Sequence, residues 1–365
     1  MTDPPAPLPP ASIEIADLDY PLPPELIAQH PLPERDGARL LVIDRASGSL
    51  ADHRIGQLPE LLREHDLLVL NDARVLPARL AAHRRTGGRV SGLFIREHRQ
   101  GVWQVLLQGS RRLRQGELLT ARPVQGEPVE LELLDALPEG LWMVRVHAEG
   151  TAEQILGRIG RTPLPPYIRR GDKDDLADEE DRARYQTVYA AKPGAIAAPT
   201  AGLHLTPRLL DRLHGAGVRT AFVTLYVGLG TFKPIAASTL PEHAMHEERF
   251  DLPAQTAADL AACRARGGRV VAVGTTSVRV LEAAAAPISG NWGVEATNGT
   301  TRLYIYPPYQ FRVVDALLTN FHLPRSTLLA LVMAFGGTEL TRRAYAHAVD
   351  QRYRFYSYGD AMLIQ

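Results

Sequence analysis

Between residues 71 and 147 the chain carries short apolar stretches of strand length, at 89–96, 102–108, 117–121, 129–134 and 141–147, separated by glycines such as Gly101, Gly109, Gly116, Gly126 and Gly140. Evenly spaced short strands with glycine turns fold as a small barrel or sandwich. Trp142, Val144 and Val146 alternate with Met143, Arg145 and His147, the pattern of a half-buried strand. A different pattern flanks this stretch. Before it come two strand-like runs, at 40–43 and 67–70. After it, helices and strands alternate: Thr206-Pro207 opens a helix that Gly215 or Gly217 ends, a strand passes through Ala221, Val223 and Leu225, and Pro253 opens a helix that ends at Gly267-Gly268. The β-branched run 270–273 is a buried strand that turns at Gly274 into a helix spanning 278–286, and 326–335 and 340–349 are helical. Such alternation builds an α/β layer with mainly parallel strands. The charge-dense segment 172–184 is expected to be a solvated loop. The predicted fold is therefore mixed α/β: an α/β domain made by both ends of the chain (13–70 and 151–365), with a small antiparallel β-barrel inserted at 71–150 and a Pro-rich, disordered tail at 1–12.

Apolar residues make up 45% and charged residues 22% of the 365, the mix of a globular protein. The apolar run 327–335 is far shorter than the ~20 residues a spanning helix needs. Lys+Arg 41 balance Asp+Glu 41, so no global basic field marks a nucleic-acid partner, although a local patch suffices for one. The single Cys263 excludes an internal disulfide and a multi-cysteine zinc site, fits a reducing compartment, and is expected to be an inert core thiol. Residues 1–10 are half proline and lack the basic start and apolar centre of a signal peptide. A cytoplasmic location is expected.

Several segments carry chemistry. Thr200, Gly202 and His204 precede the helix at Pro207, where free N–H groups and the helix dipole favour anions; a capping loop is the plainer reading. Thr275, Thr276, Ser277 and Arg279 follow a buried strand and Gly274. There a carboxylate could take the N–H groups and hydroxyls with Arg279 as a bidentate partner, or the hydroxyls could simply cap the helix. Gly228 and Gly230 follow Tyr226 at another strand end and permit close backbone approach, but without the third glycine of a dinucleotide fingerprint. His243, His246 and Glu248 could make a base oriented by a carboxylate, a metal site, or a solvated turn. Asn320, His322 and Arg325 gather at another helix start.

The strings PTAGLHLT (199–206), VTLYVGLGTFKP (223–234), HAMHEE (243–248), AVGTTSVRVLE (272–282), VVDALLTNFHLPRSTLLALVMAFGG (313–337) and YRFYSYGDAMLI (353–364) closely resemble the S-adenosylmethionine:tRNA ribosyltransferase-isomerase family. So do LPPELIAQHPLPERDGARLL (22–41) and LNDARVLPARL (70–80). The resemblance spans nearly the whole chain beyond the tail. It implies an α/β domain with an inserted barrel and a step in queuosine synthesis. In that step the ribosyl group of S-adenosylmethionine is transferred and isomerised onto an aminomethyl-deazaguanine at the tRNA wobble position. Epoxyqueuosine-tRNA forms, and adenine and methionine are released. S-adenosylmethionine is then a co-substrate, with no prosthetic group and no metal, and the enzyme is expected to be a monomer. The family often has Gly where this chain has Pro308, and often His where it has Tyr226; the latter departure moves the expected base to His246 or His204.

That reaction needs a base at the carbon beside the sulfonium and an acid toward adenine. The expected assignment makes His246, oriented by Glu248, the base and His204 or His322 the acid. Thr275, Thr276, Ser277 and Arg279 hold the methionine carboxylate, and Tyr226 faces the sulfonium. Thr200, Gly202, Gly228, Gly230, Asn320 and Arg325 complete the substrate site. For tRNA, two arginine clusters of the barrel, Arg84, Arg85 and Arg89 with Arg111, Arg112 and Arg114, are expected phosphate grips. The competing functions are a non-catalytic RNA-binding protein and a metal-dependent hydrolase using His243, His246 and Glu248.

Overall fold

The computed structural model describes residues 14–109, 112–124, 126–170, 175–228, 239–288 and 290–365. The expected tail at 1–12 lies outside them, as do Arg111 and Gly230. One nine-stranded sheet draws on both ends of the chain. At its centre four strands run parallel: Arg219–Leu225, Leu67–Asn71, Val270–Val273 and Ala316–Asn320, in that order. Beyond them Ala361–Ile364 pairs antiparallel with Ala316–Asn320 and parallel with Arg39–Ile43, and Leu50–Arg54 closes that edge. Glu248–Leu252 and Thr297–Thr301 form the other, antiparallel edge.

The continuous apolar runs of the central strands follow from burial on both faces. Successive side chains point to opposite sides, so each strand divides between two cores. Leu67, Val69, Val270, Ala272 and Leu317 face a core completed by helices Ala254–Ala265, Thr275–Ala283, Thr327–Gly336 and Thr338–Asp350. Leu68, Leu70, Val271, Val273 and Leu318 face a second core with helix Pro207–Gly215. The helix starts use the expected caps: the Thr206 and Ser326 hydroxyls accept from the N–H of Leu209 and Leu329 at 3.1 and 3.2 Å. Cys263 is buried in its helix, and burial pushes its thiol pKa up. Among the described residues no helix is long and apolar enough to cross a membrane.

The strands of the middle segment close on themselves through the pairing of Arg79–Arg84 with Leu118–Ala121, giving a six-stranded antiparallel barrel. Trp103, Val105, Leu119, Leu131 and Val144 fill it. Its packing reaches past residue 150: Ile155, Leu156 and Ile159 of helix Ala152–Ile159 join the same core, and Gly160–Arg161 pairs with Arg79–Leu80. At the other end, Asn71 belongs to the α/β sheet, and the barrel strands start only at Arg79.

Two local expectations are corrected. The charged segment is helical over Asp175–Arg184, and it is anchored rather than free. Asp181 takes the Arg170 guanidinium at 2.7 and 2.8 Å, and Asp178 accepts from the Thr162 N–H at 2.7 Å; both carboxylates are buried. The helix expected to run to residue 286 ends at Ala283, because Ala285–Ile288, containing Pro287, pairs as a strand with Asn291–Val294.

Candidate active site

Parallel strands present their carboxyl ends at one edge, and loops leaving that edge build the principal cleft. It is lined by residues 197–201, Val227, 274–276, 319–323, Ser326, Leu328, Tyr356, Ser357 and Tyr167. Three of the expected segments therefore converge: Thr200 from the first, Thr275 and Thr276 from the second, and Asn320 with His322 from the third.

Helix Thr275–Ala283 begins at this cleft. Its N-cap is Gly274, held at φ 88, a conformation that favours glycine, and no side chain caps it. The first-turn N–H groups and the positive end of the helix dipole are thus left for an anion. Ser277 does not contribute. Its buried hydroxyl donates to the Val273 carbonyl at 2.9 Å.

Asn320 is buried behind the cleft wall. Its Nδ2 donates to Nε2 of His204 at 3.2 Å and to the Tyr356 carbonyl at 3.2 Å, and its Oδ1 has no partner among the described residues. His204 also hydrogen-bonds the Arg35 backbone, yet burial lowers its pKa to about 4. His322 lies 2.9 Å from the Thr319 hydroxyl through Nε2, and burial lowers its pKa to about 3. Both imidazoles are therefore neutral at pH 7, and neither supplies an imidazolium proton there. Two residues not singled out from the sequence complete the wall. Tyr167 bonds the Ser357 hydroxyl at 2.7 Å, its pKa pushed up to about 12 by burial, and its ring lies 4.7 Å from that of Tyr356. The motif 353–364 contains Tyr356 and Ser357. Tyr167 carried only its place after a proline run.

Other expected residues lie elsewhere. Glu248 opens the strand Glu248–Leu252 and pairs with Arg279, both side chains buried; it also accepts the Gly228 N–H at 3.1 Å. It does not orient His246, which is exposed in the preceding irregular segment. Arg279 further donates to the Leu303 carbonyl at 3.1 Å and does not line the cleft, so the expected carboxylate grip by Arg279 is not formed. Tyr226 turns away from the cleft while Val227 lines it, as alternation requires. The Arg249 guanidinium covers the Tyr226 ring at 4.4 Å. Gly202 is a packing glycine, since a Cβ there would lie 1.9 Å from the Tyr189 hydroxyl. Arg325 is exposed and paired with Asp19. On the barrel, Arg84 is bound by Glu117 at 2.5 and 3.1 Å, while Arg85, Arg89, Arg112 and Arg114 are exposed. Among the described residues, no three His, Cys, Asp or Glu side chains group as metal ligands.

A closed barrel set into a two-faced α/β sheet, with one cleft at the sheet's carboxyl edge, defines a ligand-binding α/β protein with an inserted domain. The family model described as "Queuosine biosynthesis protein" matches residues 15–364. The chain is 48% identical over 351 residues to the S-adenosylmethionine:tRNA ribosyltransferase-isomerase of Trichlorobacter lovleyi, covering 96% of this chain and 99% of that one. It is 50% identical over 353 residues to the enzyme of the same name from Thiobacillus denitrificans, covering 97% and 98%. The crystal structure of S-adenosylmethionine tRNA ribosyltransferase from Thermotoga maritima superposes with a TM-score of 0.54 at 37% identity, covering 96% of this chain and all of that one. The chain belongs to the queuosine biosynthesis protein family.

Proposed function

We propose that this protein transfers and isomerises the ribosyl group of S-adenosylmethionine onto the aminomethyl-deazaguanine at the tRNA wobble position, giving epoxyqueuosine-tRNA, adenine and methionine. The observation that carries the reading is the convergence of an uncapped helix start, two tyrosines and the buried His322 imidazole in one cleft, with His204 behind Asn320, in a chain about half identical to enzymes of that name. S-adenosylmethionine is a co-substrate, and no prosthetic group is called for. The enzyme works in the cytoplasm, where its RNA substrate is, and as a monomer, a state that sedimentation at assay concentration tests.

The substrate's parts suit the wall chemistry. The methionine carboxylate takes the N–H groups at Thr275 and Thr276, with Thr200 beside them. The Tyr356 ring faces the sulfonium, as a cation over a π-face. His322, whose imidazole lines the cleft, accepts the proton from the ribose carbon next to sulfur. Tyr167, protonated at neutral pH, is the hydroxyl donor toward departing adenine. Asn320, backed by His204, fixes the wall on which the purine rests. Holding the acceptor amine against the sugar makes the encounter effectively intramolecular. Exposed barrel arginines supply phosphate contacts to the tRNA.

The test is incubation with S-adenosylmethionine and tRNA bearing the precursor base. Adenine and methionine should appear in equal amounts with epoxyqueuosine in the digested tRNA. RNA binding without adenine release would point instead to a non-catalytic binding protein and overturn the proposal.

A further inference from the structure

A second, larger depression lies against the outer face of the barrel, between strands Arg79–Arg84 and Arg89–Arg99 and the segment 163–166. Four arginines line it, Arg79, Arg89, Arg122 and Arg161, and among the described residues no carboxylate does. Arg79 and Arg161 stand opposite each other in the strand register. Arg89 and Arg122 are exposed and form no ion pair among the described residues. The groove also offers Leu93 and Leu106, both partly exposed, as apolar surface.

The groove adjoins the catalytic cleft. Residues 163–166 line the groove and Tyr167 lines the cleft; Ile196 lines the groove and Ala197 the cleft. We infer that this groove holds a single-stranded RNA segment flanking the base presented to the cleft, with Arg89 and Arg122 on its phosphates and bases stacked on the apolar surface. The inference rests on the proposed function and adds the path of the strand. A groove beside the cleft, lined by four arginines and by no carboxylate among the described residues, is the charge complement of a polyanion. It selects Arg89 from the exposed barrel arginines and adds Arg122, which no clustering in the sequence marks.

The test compares the full chain with an Arg89→Glu/Arg122→Glu variant, using a labelled anticodon stem-loop carrying the precursor base. The stem-loop Kd should rise at least tenfold, and the slope of log affinity against log salt should fall by about 1.4, the counterion release of two phosphate contacts on a single strand. Equilibrium binding of S-adenosylmethionine should stay within twofold of wild type, which reports an intact cleft. A charge-matched Arg208→Glu/Arg266→Glu variant, altered at exposed positions of the α/β part outside the groove and the cleft, should lose less than threefold. Stem-loop affinity within twofold of wild type in the groove variant, or an equal loss in the control, overturns the groove assignment while wild-type adenine release leaves the function standing. A wild-type protein that neither binds nor modifies the RNA overturns both.

Discussion

Glu248 is joined to Arg279 in an ion pair whose side chains are 4% and 7% exposed, and the same carboxylate takes the Gly228 N–H. The pair thereby ties the edge strand Glu248–Leu252 and the chain at Gly228 to helix Thr275–Ala283, whose first turn lines the cleft. Removing one partner of a buried pair leaves an uncompensated charge, at a cost of about 3–5 kcal/mol. Glu248→Ala should therefore lower stability by that order in urea unfolding. Glu248→Gln/Arg279→Met, which removes both charges, should recover most of the loss. His246→Ala, at an exposed position, should stay within about 0.5 kcal/mol of wild type. A Glu248→Ala protein as stable as His246→Ala would show that the pair does not hold these elements.

Gly202 is bound to Tyr189 by space alone. A Cβ would lie 1.9 Å from the Tyr189 oxygen, which is buried and has no hydrogen-bond partner among the described residues. Gly202→Ala should cost about 1–3 kcal/mol as overpacking. Tyr189→Phe deletes only the obstructing oxygen, so the double variant should regain stability relative to Gly202→Ala. Thermal unfolding of the three variants measures this. Additive losses in the double variant would argue against the steric cause.

Much of the architecture was legible because burial on both faces forces unbroken apolar runs at 67–71 and 270–273, and because Thr206 and Ser326 announce their helices. The first barrel strand, Arg79–Arg84, escaped notice because its outward positions carry Arg, Ala and His and its buried positions are only Leu80 and the small Ala82. In the site, Thr275, Thr276, Asn320 and His322 were legible because loops at strand ends are where ligands gather. The pairing of His246 with Glu248 was a period-2 inference carried two residues beyond the true strand start. Arg279 and Ser277 carry the right chemistry, but Arg279 is paired with Glu248 away from the cleft and Ser277 donates to the Val273 carbonyl, long-range and local partners that spacing does not reveal. Tyr167 reaches the cleft only through the fold, by way of Ser357.

The buried histidines set an acid limit. His204 and His322 resist protonation in the folded state down to about pH 4 and about pH 3, whereas the unfolded chain takes those protons near the ordinary histidine value of 6.5. Below 6.5 the unfolded state binds more protons, so stability falls as pH drops toward 4 and is indifferent to these groups above 6.5. Each histidine adds a slope approaching about 1.4 kcal/mol per pH unit within that window. Urea titrations at pH 7.5, 6, 5 and 4.5 should reveal the decline, and His204→Gln should reduce its steepness. An unchanged slope in that variant would mean His204 titrates in the folded protein.

The helix start at Thr275 makes the sharpest claim on the substrate. Gly274 at φ 88 leaves the first-turn N–H groups without a side-chain cap, and Thr275 is the first helical residue. Proline is tolerated at that position because its fixed φ suits the first turn and its missing N–H takes no part in the helix ladder. Thr275→Pro thus deletes one proposed carboxylate donor with little cost to the fold, as thermal unfolding can check. A hydrogen bond to a charged group contributes about 1.5–3 kcal/mol, so KM for S-adenosylmethionine should rise about 10- to 100-fold. Decarboxylated S-adenosylmethionine, lacking the group that uses this N–H, should be bound poorly by wild type and no worse by the variant. If Thr275→Pro weakens both ligands equally, the helix start contributes to cleft shape and not to carboxylate recognition.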